Sequence, residues 1–203
     1  MLARYSDARL PTPYGEFRIV VYRTGEPGGE GATALGVALE EHVAMVMGDP
    51  SGAGVLTRVH SSCFTGEVLG SLRCDCRAQL DAALARIARE GRGVLVYLVQ
   101  EGRGIGLGNK VRAYQLQDAG KDTVEANLAL GLPADLRSYD LAAGILRDLG
   151  VTSVRLMTNN PDKRSGLQHA GVVVDALESH WVGESEHNAD YLEAKRRRLG
   201  HLP

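Results

Sequence analysis

The sequence predicts an α/β fold of mixed α+β character, in which a β-rich N-terminal part is built onto an alternating helix/strand layer. Two observations carry this reading. Up to Cys76, apolar residues fall in short strand-like runs separated by Gly and Pro, whereas beyond it they recur at three- and four-residue steps between further apolar runs. Helix and strand then alternate, which is the pattern of a layered α/β structure. With 203 residues and 44% apolar composition the chain can bury one sizeable core. It reads as a single domain over 1–203, with a β-rich part (1–76), an α/β part (77–175) and a helical tail (176–203).

In chain order, Pro11 and Pro13 frame the start of an edge, Phe17 to Tyr22 is a strand and Gly25 to Gly31 a loop. Val43 to Met47 and Val55 to His60 are two further strands. Leu80, Ala83, Leu84, Ile87 and Ala88 form one apolar face, so Ala78 to Glu90 is a helix stopping before Gly91. Gly93 to Val99 is nearly continuous in apolar residues and reads as a buried strand. Helices follow at about Asn109 to Ala119, Thr123 to Leu130 and Asp140 to Leu149. Then come a strand at Val154 to Thr158, a helix near Lys163 to His169 and a strand at Val172 to Val174.

Composition removes several classes. The 25 glycines are scattered through an apolar-rich chain, which excludes collagen and disorder. Lys and Arg total 23 against 25 acidic residues, a net charge of −2, so no basic nucleic-acid footprint appears in the total. The one basic block, Lys195 to Arg198, reads as the solvated face of a terminal helix. The start, MLARYSDARLPTP, lacks a signal-peptide core, and Val94 to Val99 is far short of the ~20 apolar residues a membrane span needs. Three cysteines do not make a disulfide scaffold. The expectation is a soluble, cytoplasmic protein with no nucleic-acid or membrane partner.

All three cysteines, Cys63, Cys74 and Cys76, lie within fourteen residues as C-x10-C-x-C. A structural zinc site closes with four ligands, whereas a catalytic one keeps three and an open position. Three thiolates fit the open kind. His60 is either a fourth, closing ligand or a substrate contact. Glu101 to Lys110 (EGRGIGLGNK) joins a buried strand to a helix, where backbone N–H groups and a helix N-terminus suit phosphate. It is not a Walker loop, and a plain strand-to-helix turn would look similar. Arg103 and Lys110 favour an anionic ligand there. Thr158 to Lys163 (TNNPDK) also follows a strand: Asn160 with Pro161 reads as a helix start, and Lys163 can meet a phosphate. Arg58 to Ser62 runs polar into the cysteine cluster, and Asp135-Leu136-Arg137 alternates acid and base in a loop.

The segments RVHSSCFTGEVLGSLRCDCRAQLDAAL, EGRGIGLGNKVRAYQLQDAGKDTVEAN, PADLRSYDLAAGIL and RLMTNNPDK, in this order and spacing, resemble GTP cyclohydrolase II of riboflavin biosynthesis over roughly Arg9 to Val174. No second enzyme domain precedes the match, so the likeness is to the monofunctional form. The resemblance implies a homodimeric hydrolase using Zn²⁺, one per chain, and Mg²⁺ with the GTP phosphates. It implies opening of the imidazole ring of GTP, release of formate and pyrophosphate, and a diaminopyrimidine ribosyl monophosphate product.

Carried onto this chain, the resemblance makes Cys63, Cys74 and Cys76 the zinc ligands. It assigns Arg58, Val59, His60, Ser61, Ser62, Gln79, Glu101, Gly102, Arg103, Thr123, Thr158 and Lys163 to GTP. Asp135 matches a proton acceptor, Arg137 a nucleophile and Tyr114 a tyrosine near the reacting ring. A guanidinium stays protonated, so Arg137 as a stabiliser of phosphate charge is easier to defend. The chain departs from the pattern where RVHSE is usual: Ser62 replaces the acid. That substitution raises the alternative of a variant cyclohydrolase stopping at a formamidopyrimidine. A non-catalytic, zinc-stabilised nucleotide-binding protein is a third reading. Leu136 also replaces a common acid.

Overall fold

Side-chain alternation in two central strands decides how the molecule is layered. The computed structural model describes residues 2–25, 40–133 and 135–183, with Asn188 and Glu193. In β4 (Val55–Ser61) and β5 (Gly93–Leu98) both faces are buried, so each strand feeds two cores. Val55, Val59, Val94 and Val96 point into one core, while Leu56 and Leu95 point into the other. Arg58 and His60 share the parity of Leu56, so the second face becomes polar toward the C-terminal end of β4.

Seven strands form one mixed sheet in the order β1-β2-β3-β5-β4-β6-β7. β1 (Leu2–Thr12), β2 (Gly15–Thr24) and β3 (Glu40–Met47) form an antiparallel meander that pairs onto β5. From β5 onward the pairing is parallel, through β4 and β6 (Ser153–Met157) to β7 (Val173–Glu178). The β-rich N-terminal part built onto an alternating layer is therefore observed, joined at β5.

The helices cover the faces unequally. α5 (Asp140–Asp148) and α6 (Pro161–His169) supply Ile145, Leu146 and Leu167 to the larger core. α2 (Cys76–Glu90) lays Ala83 and Ile87 over Phe17, Leu56, Leu95 and Met157 on the opposite face. Gly93 is required where α2 comes closest, because a Cβ there would meet the Leu56 carbonyl at 2.7 Å and Ile87 at 3.0 Å. The remaining helices, α1 (Phe64–Glu67), α3 (Gly106–Asp118) and α4 (Thr123–Ala129), gather beyond the C-terminal ends of the parallel strands. Polar clamps fasten the layers: the Tyr22 hydroxyl donates to Asp148 at 2.6 Å, and Arg155 joins Glu90 of α2 to Glu178 of β7.

The structure differs from the sequence expectation at identifiable points. β1 was not anticipated beyond its edge prolines. It is an outer strand, exposed along most of its length, so it carries no buried alternation, and Pro11 sits where an edge tolerates it. α2 begins at Cys76 rather than Ala78, and α3 at Gly106 rather than Asn109. β7 runs to Glu178, into the stretch expected to be helical tail, and most of that tail lies outside the described residues. So do nearly all of the loop expected at Gly25 to Gly31 and the basic block at Lys195 to Arg198. No described helix is long and apolar enough to cross a membrane.

Ile87 is fully buried at the centre of the smaller core. Ile87→Ala is expected to lower stability by about 2–5 kcal/mol in urea unfolding. A loss below about 1 kcal/mol would mean that α2 is not packed as described.

Candidate active site

Cys63 follows the end of β4, and the chain turns through α1 before returning to Cys74 and to Cys76 at the start of α2. The three Sγ atoms lie within 4.8 Å of one another, with Cys63 and Cys74 3.6 Å apart. Tetrahedral ligation at about 2.3 Å puts sulfurs about 3.8 Å apart, so this spacing suits a metal ion. Gly66 completes the cradle, since a Cβ there would lie 2.7 Å from Cys74 Sγ and 3.3 Å from Cys63 Sγ. Hydrogen bonds from the neighbouring cysteines and from Lys110 hold Cys63 far below the usual thiol range, while Cys74 and Cys76 are pushed up. Three adjacent thiolates repel one another, and a cation between them removes that penalty.

Lys110 lines the cavity, but its ammonium is engaged by protein groups. Its Nζ donates to Cys63 Sγ at 3.1 Å and to Glu101 Oε1 at 2.8 Å. Burial would lower the Lys110 pKa, but Glu101 and the Cys63 thiolate outweigh it and hold the ammonium charged. The Glu101 carboxylate is itself fully engaged, accepting also from Phe64 N at 2.6 Å and Gly102 N at 2.9 Å. Glu101 therefore braces the loop against α1, and a nucleotide would meet mainly its backbone.

The loop after β5 is a 3₁₀ turn, Glu101–Gly104, with Gly102 (φ 60°) and Arg103 (φ 62°) both left-handed. Arg103 is the one non-glycine residue with positive φ among those described, a strained conformation that costs about 1–2 kcal/mol. The Arg103 carbonyl accepts from Leu136 N at 3.0 Å, and a Cβ on Gly104 would strike Leu136 at 2.9 Å. Leu136 thus docks the Asp135–Arg137 segment on the turn, which brings Arg137 to the cavity beside Arg103. Asp135 grips Arg137 through Nε at 2.9 Å and Nη2 at 2.5 Å, and accepts from its backbone N–H. Burial would raise the Asp135 pKa, but Arg137 more than offsets this and holds it below the usual carboxylate range. The pair orients a fixed cation, an arrangement that suits charge stabilisation better than nucleophilic attack.

These groups open on one cavity of about 670 Å³. Of the residues singled out in the sequence, it is lined by Arg58, His60, Ser61, Ser62, Cys63, Cys74, Cys76, Gln79, Glu101, Gly102, Arg103, Lys110, Tyr114, Arg137, Thr158, Asn160 and Lys163. Val59 is wholly buried and contributes its carbonyl, which accepts from Lys163 Nζ at 2.7 Å. Asp135 stands behind Arg137 rather than in the wall. Thr123 opens α4, and its side chain lies outside the described residues. Asn160 caps α6 as expected, accepting from Asp162 N at 2.9 Å. Arg58 is buried, donating to Met157 O at 2.7 Å and Gln79 Oε1 at 2.5 Å, and burial pushes its pKa down to about 10. Tyr114 lies 3.4 Å from Thr65 Oγ1, and burial raises its pKa, so the phenol stays protonated at neutral pH.

Sequence reasoning missed Gly66, Lys110 as a partner of Cys63, Glu67, and the segment carrying His180 and Trp181 that reaches the cavity wall. Gly66 and Glu67 lie inside the cysteine motif and Lys110 closes the glycine-rich one, whereas His180 and Trp181 had no local signal. His60 does not join the sulfurs as a ligand. Its Nε2 lies 2.7 Å from Glu67 Oε1.

Comparison with known proteins places this geometry. Residues 3–178 match the family described as GTP cyclohydrolase II. The chain is 54% identical over 199 residues to "Riboflavin biosynthesis protein RibBA" of Salinispora tropica, covering 97% of this chain and 47% of that protein. It is 52% identical over 204 residues to the RibBA of Bacillus subtilis, covering 100% and 48%. The chain thus spans about half the length of the curated relatives it matches. A solved structure of RibBX, described as a two domain 3,4-dihydroxy-2-butanone 4-phosphate synthase from A. baumannii, aligns with TM-score 0.45 and 23% identity over 88% of this chain and 40% of that one, too slight a likeness to bear on fold or function. From the family match and these two relatives, the chain belongs to the GTP cyclohydrolase II family.

Proposed function

We propose that this chain is a zinc-dependent GTP cyclohydrolase II that opens the imidazole ring of GTP in riboflavin biosynthesis. The products are formate, pyrophosphate and a diaminopyrimidine ribosyl monophosphate. The observation that carries the reading is the three-cysteine cluster, open on a cavity also lined by Arg58, Arg103, Arg137 and Lys163. Cys63, Cys74 and Cys76 are the residues to hold zinc. Bound there, zinc supplies a water activated for attack near neutral pH.

The chain's own residues do the rest. Tyr114 holds a proton at its hydroxyl, next to Thr65 and the sulfurs, and is placed to exchange it during ring hydrolysis. Arg103, Arg137 and Lys163 face a polyphosphate, with Mg²⁺ expected on the same phosphates, and stabilise charge as pyrophosphate leaves. Arg137, gripped by Asp135, acts as an oriented cation. Gln79 and Thr158 offer hydrogen-bonding groups to the nucleotide from the wall formed by α2 and β6. Our reading includes a homodimer working in the cytoplasm, where thiolates persist as metal ligands.

Ser62 motivates one second reading. Its Oγ is buried without a partner among the described residues, where the resemblance expects a carboxylate. A chain lacking that acid could stop at a formamidopyrimidine triphosphate.

The deciding experiment incubates purified protein with GTP and Mg²⁺, with and without a zinc chelator, and measures formate and pyrophosphate together. Equal release of both, abolished by the chelator, is expected. Accumulation of the formamidopyrimidine triphosphate supports the second reading, and chelator-resistant turnover contradicts zinc dependence. Cys74→Ser should lose the metal and all ring opening while circular dichroism stays native. Gly66→Ala should weaken metal affinity by about 10–100-fold without loss of helix, because the added Cβ presses on two ligands. Arg137→Ala should lower kcat by about 100–1000-fold, and Arg137→Lys should recover part of it. A Lys variant no better than Ala would argue against a purely electrostatic role.

A further inference from the structure

Glu67 closes α1, four residues after Cys63, and is 8% exposed. Both carboxylate oxygens are occupied. Oε1 lies 2.7 Å from His60 Nε2, and Oε2 accepts from the Tyr97 hydroxyl at 2.5 Å. Parallel pairing of β4 with β5 sets His60 directly beside Tyr97, with ring centroids 5.8 Å apart and planes at 18°. The Glu67 carbonyl accepts from Arg77 at 2.9 Å, which ties the end of α1 to α2. His60 is thereby fixed on one face by a ring and at one edge by a carboxylate.

Glu67 Oε2 accepts from the Tyr97 hydroxyl and Oε1 faces Nε2, so with the carboxylate as acceptor at both oxygens the imidazole proton belongs at Nε2 and Nδ1 carries the lone pair. Nδ1 is buried and has no partner among the described residues, although His60, 2% exposed, lines the cavity. Ser61 Oγ and Ser62 Oγ, at the same strand end, are also buried without partners. A buried acceptor of this kind is normally satisfied, and here the adjoining cavity is where its donor would come from. Burial pushes the His60 pKa down, which keeps the ring neutral and the lone pair available at neutral pH.

We propose that Glu67, together with Tyr97, is a positioning residue that locks His60 in the Nε2–H tautomer and presents Nδ1 as an acceptor to an N–H or O–H donor of the bound purine nucleotide. This deepens the nucleotide reading of the cavity and rests on it. It also gives a task to a buried acid that the ring-opening chemistry does not otherwise use. The logic is that of a buried Asp setting a histidine tautomer, where exchange for the amide keeps the shape but permits the wrong tautomer.

The test combines ¹⁵N imidazole NMR of the metal-loaded protein with calorimetric GTP binding and steady-state kinetics, for wild type, Glu67→Gln, Glu67→Asp and Tyr97→Phe. In wild type the His60 signals should report a proton on Nε2, and a proton on Nδ1 overturns the proposal whatever the variants do. Glu67→Gln should move the proton to Nδ1 and weaken GTP binding about tenfold, whereas Glu67→Asp should keep the wild-type tautomer and recover most of the affinity. Should the Gln variant fail to fold, Tyr97→Phe keeps the ring stack and removes one donor. A loss of GTP affinity of about two- to threefold is expected, and an unchanged affinity counts against the proposal. A wild type that turns over GTP, with Glu67→Gln binding it unchanged, overturns the proposal and leaves the function standing. A wild type that binds GTP through an Nε2–H His60 but releases no formate overturns the function and leaves the proposal standing.

Discussion

Three cysteine sulfurs a few ångström apart can all be thiolates only if positive charge stands among them. Much of the active-site end is arranged around that constraint. β4 delivers Cys63, α1 folds back over it with a glycine where a side chain would intrude, and α2 starts at Cys76. α3 is placed so that Lys110 reaches Cys63, and Glu101 holds that lysine from the loop after β5. These contacts need β4 and β5 adjacent and parallel, with their C-terminal ends at one level, which is how the sheet is ordered. The antiparallel meander widens the sheet and adds core without entering the cavity wall.

The second organising element is the strained turn at Gly102 and Arg103. Its strain is balanced by the hydrogen bond from Leu136 and by Glu101 bonding to Phe64 and Gly102. One short turn thereby aligns the cysteine loop, the cationic wall and the Asp135–Arg137 pair. Leu136, noted in the sequence only as replacing a common acid, is the contact that brings two distant segments together. The cations around the cavity are mostly held by other protein groups, as with Lys163 on Val59 O and Arg58 on Gln79. Such preorganisation would spare the cost of ordering long side chains on the proposed polyphosphate.

Much of this was legible in the chain alone, for physical reasons. α2, β4 and β5 have faces that are buried, so burial wrote a period into the sequence, and their positions were read to within two residues. β1 is an exposed edge whose partners are backbone atoms, and it left no such period. The cysteine cluster was visible because its three members are close in sequence. Glu67 was not, because its role depends on Tyr97 thirty residues away in a neighbouring strand. Lys110 was read as a phosphate contact because sequence shows a cation near a glycine loop, whereas the direction of the side chain is set by packing between α1 and α3.

In the proposed function, Cys63, Cys74 and Cys76 together hold one zinc ion with a position left open. X-ray absorption at the zinc edge on the protein as purified measures this most directly. One zinc per chain with three sulfur ligands at about 2.3 Å and one lighter ligand is expected. A shell with fewer than three sulfurs, a histidine closing the site, or protein that binds no zinc would contradict it.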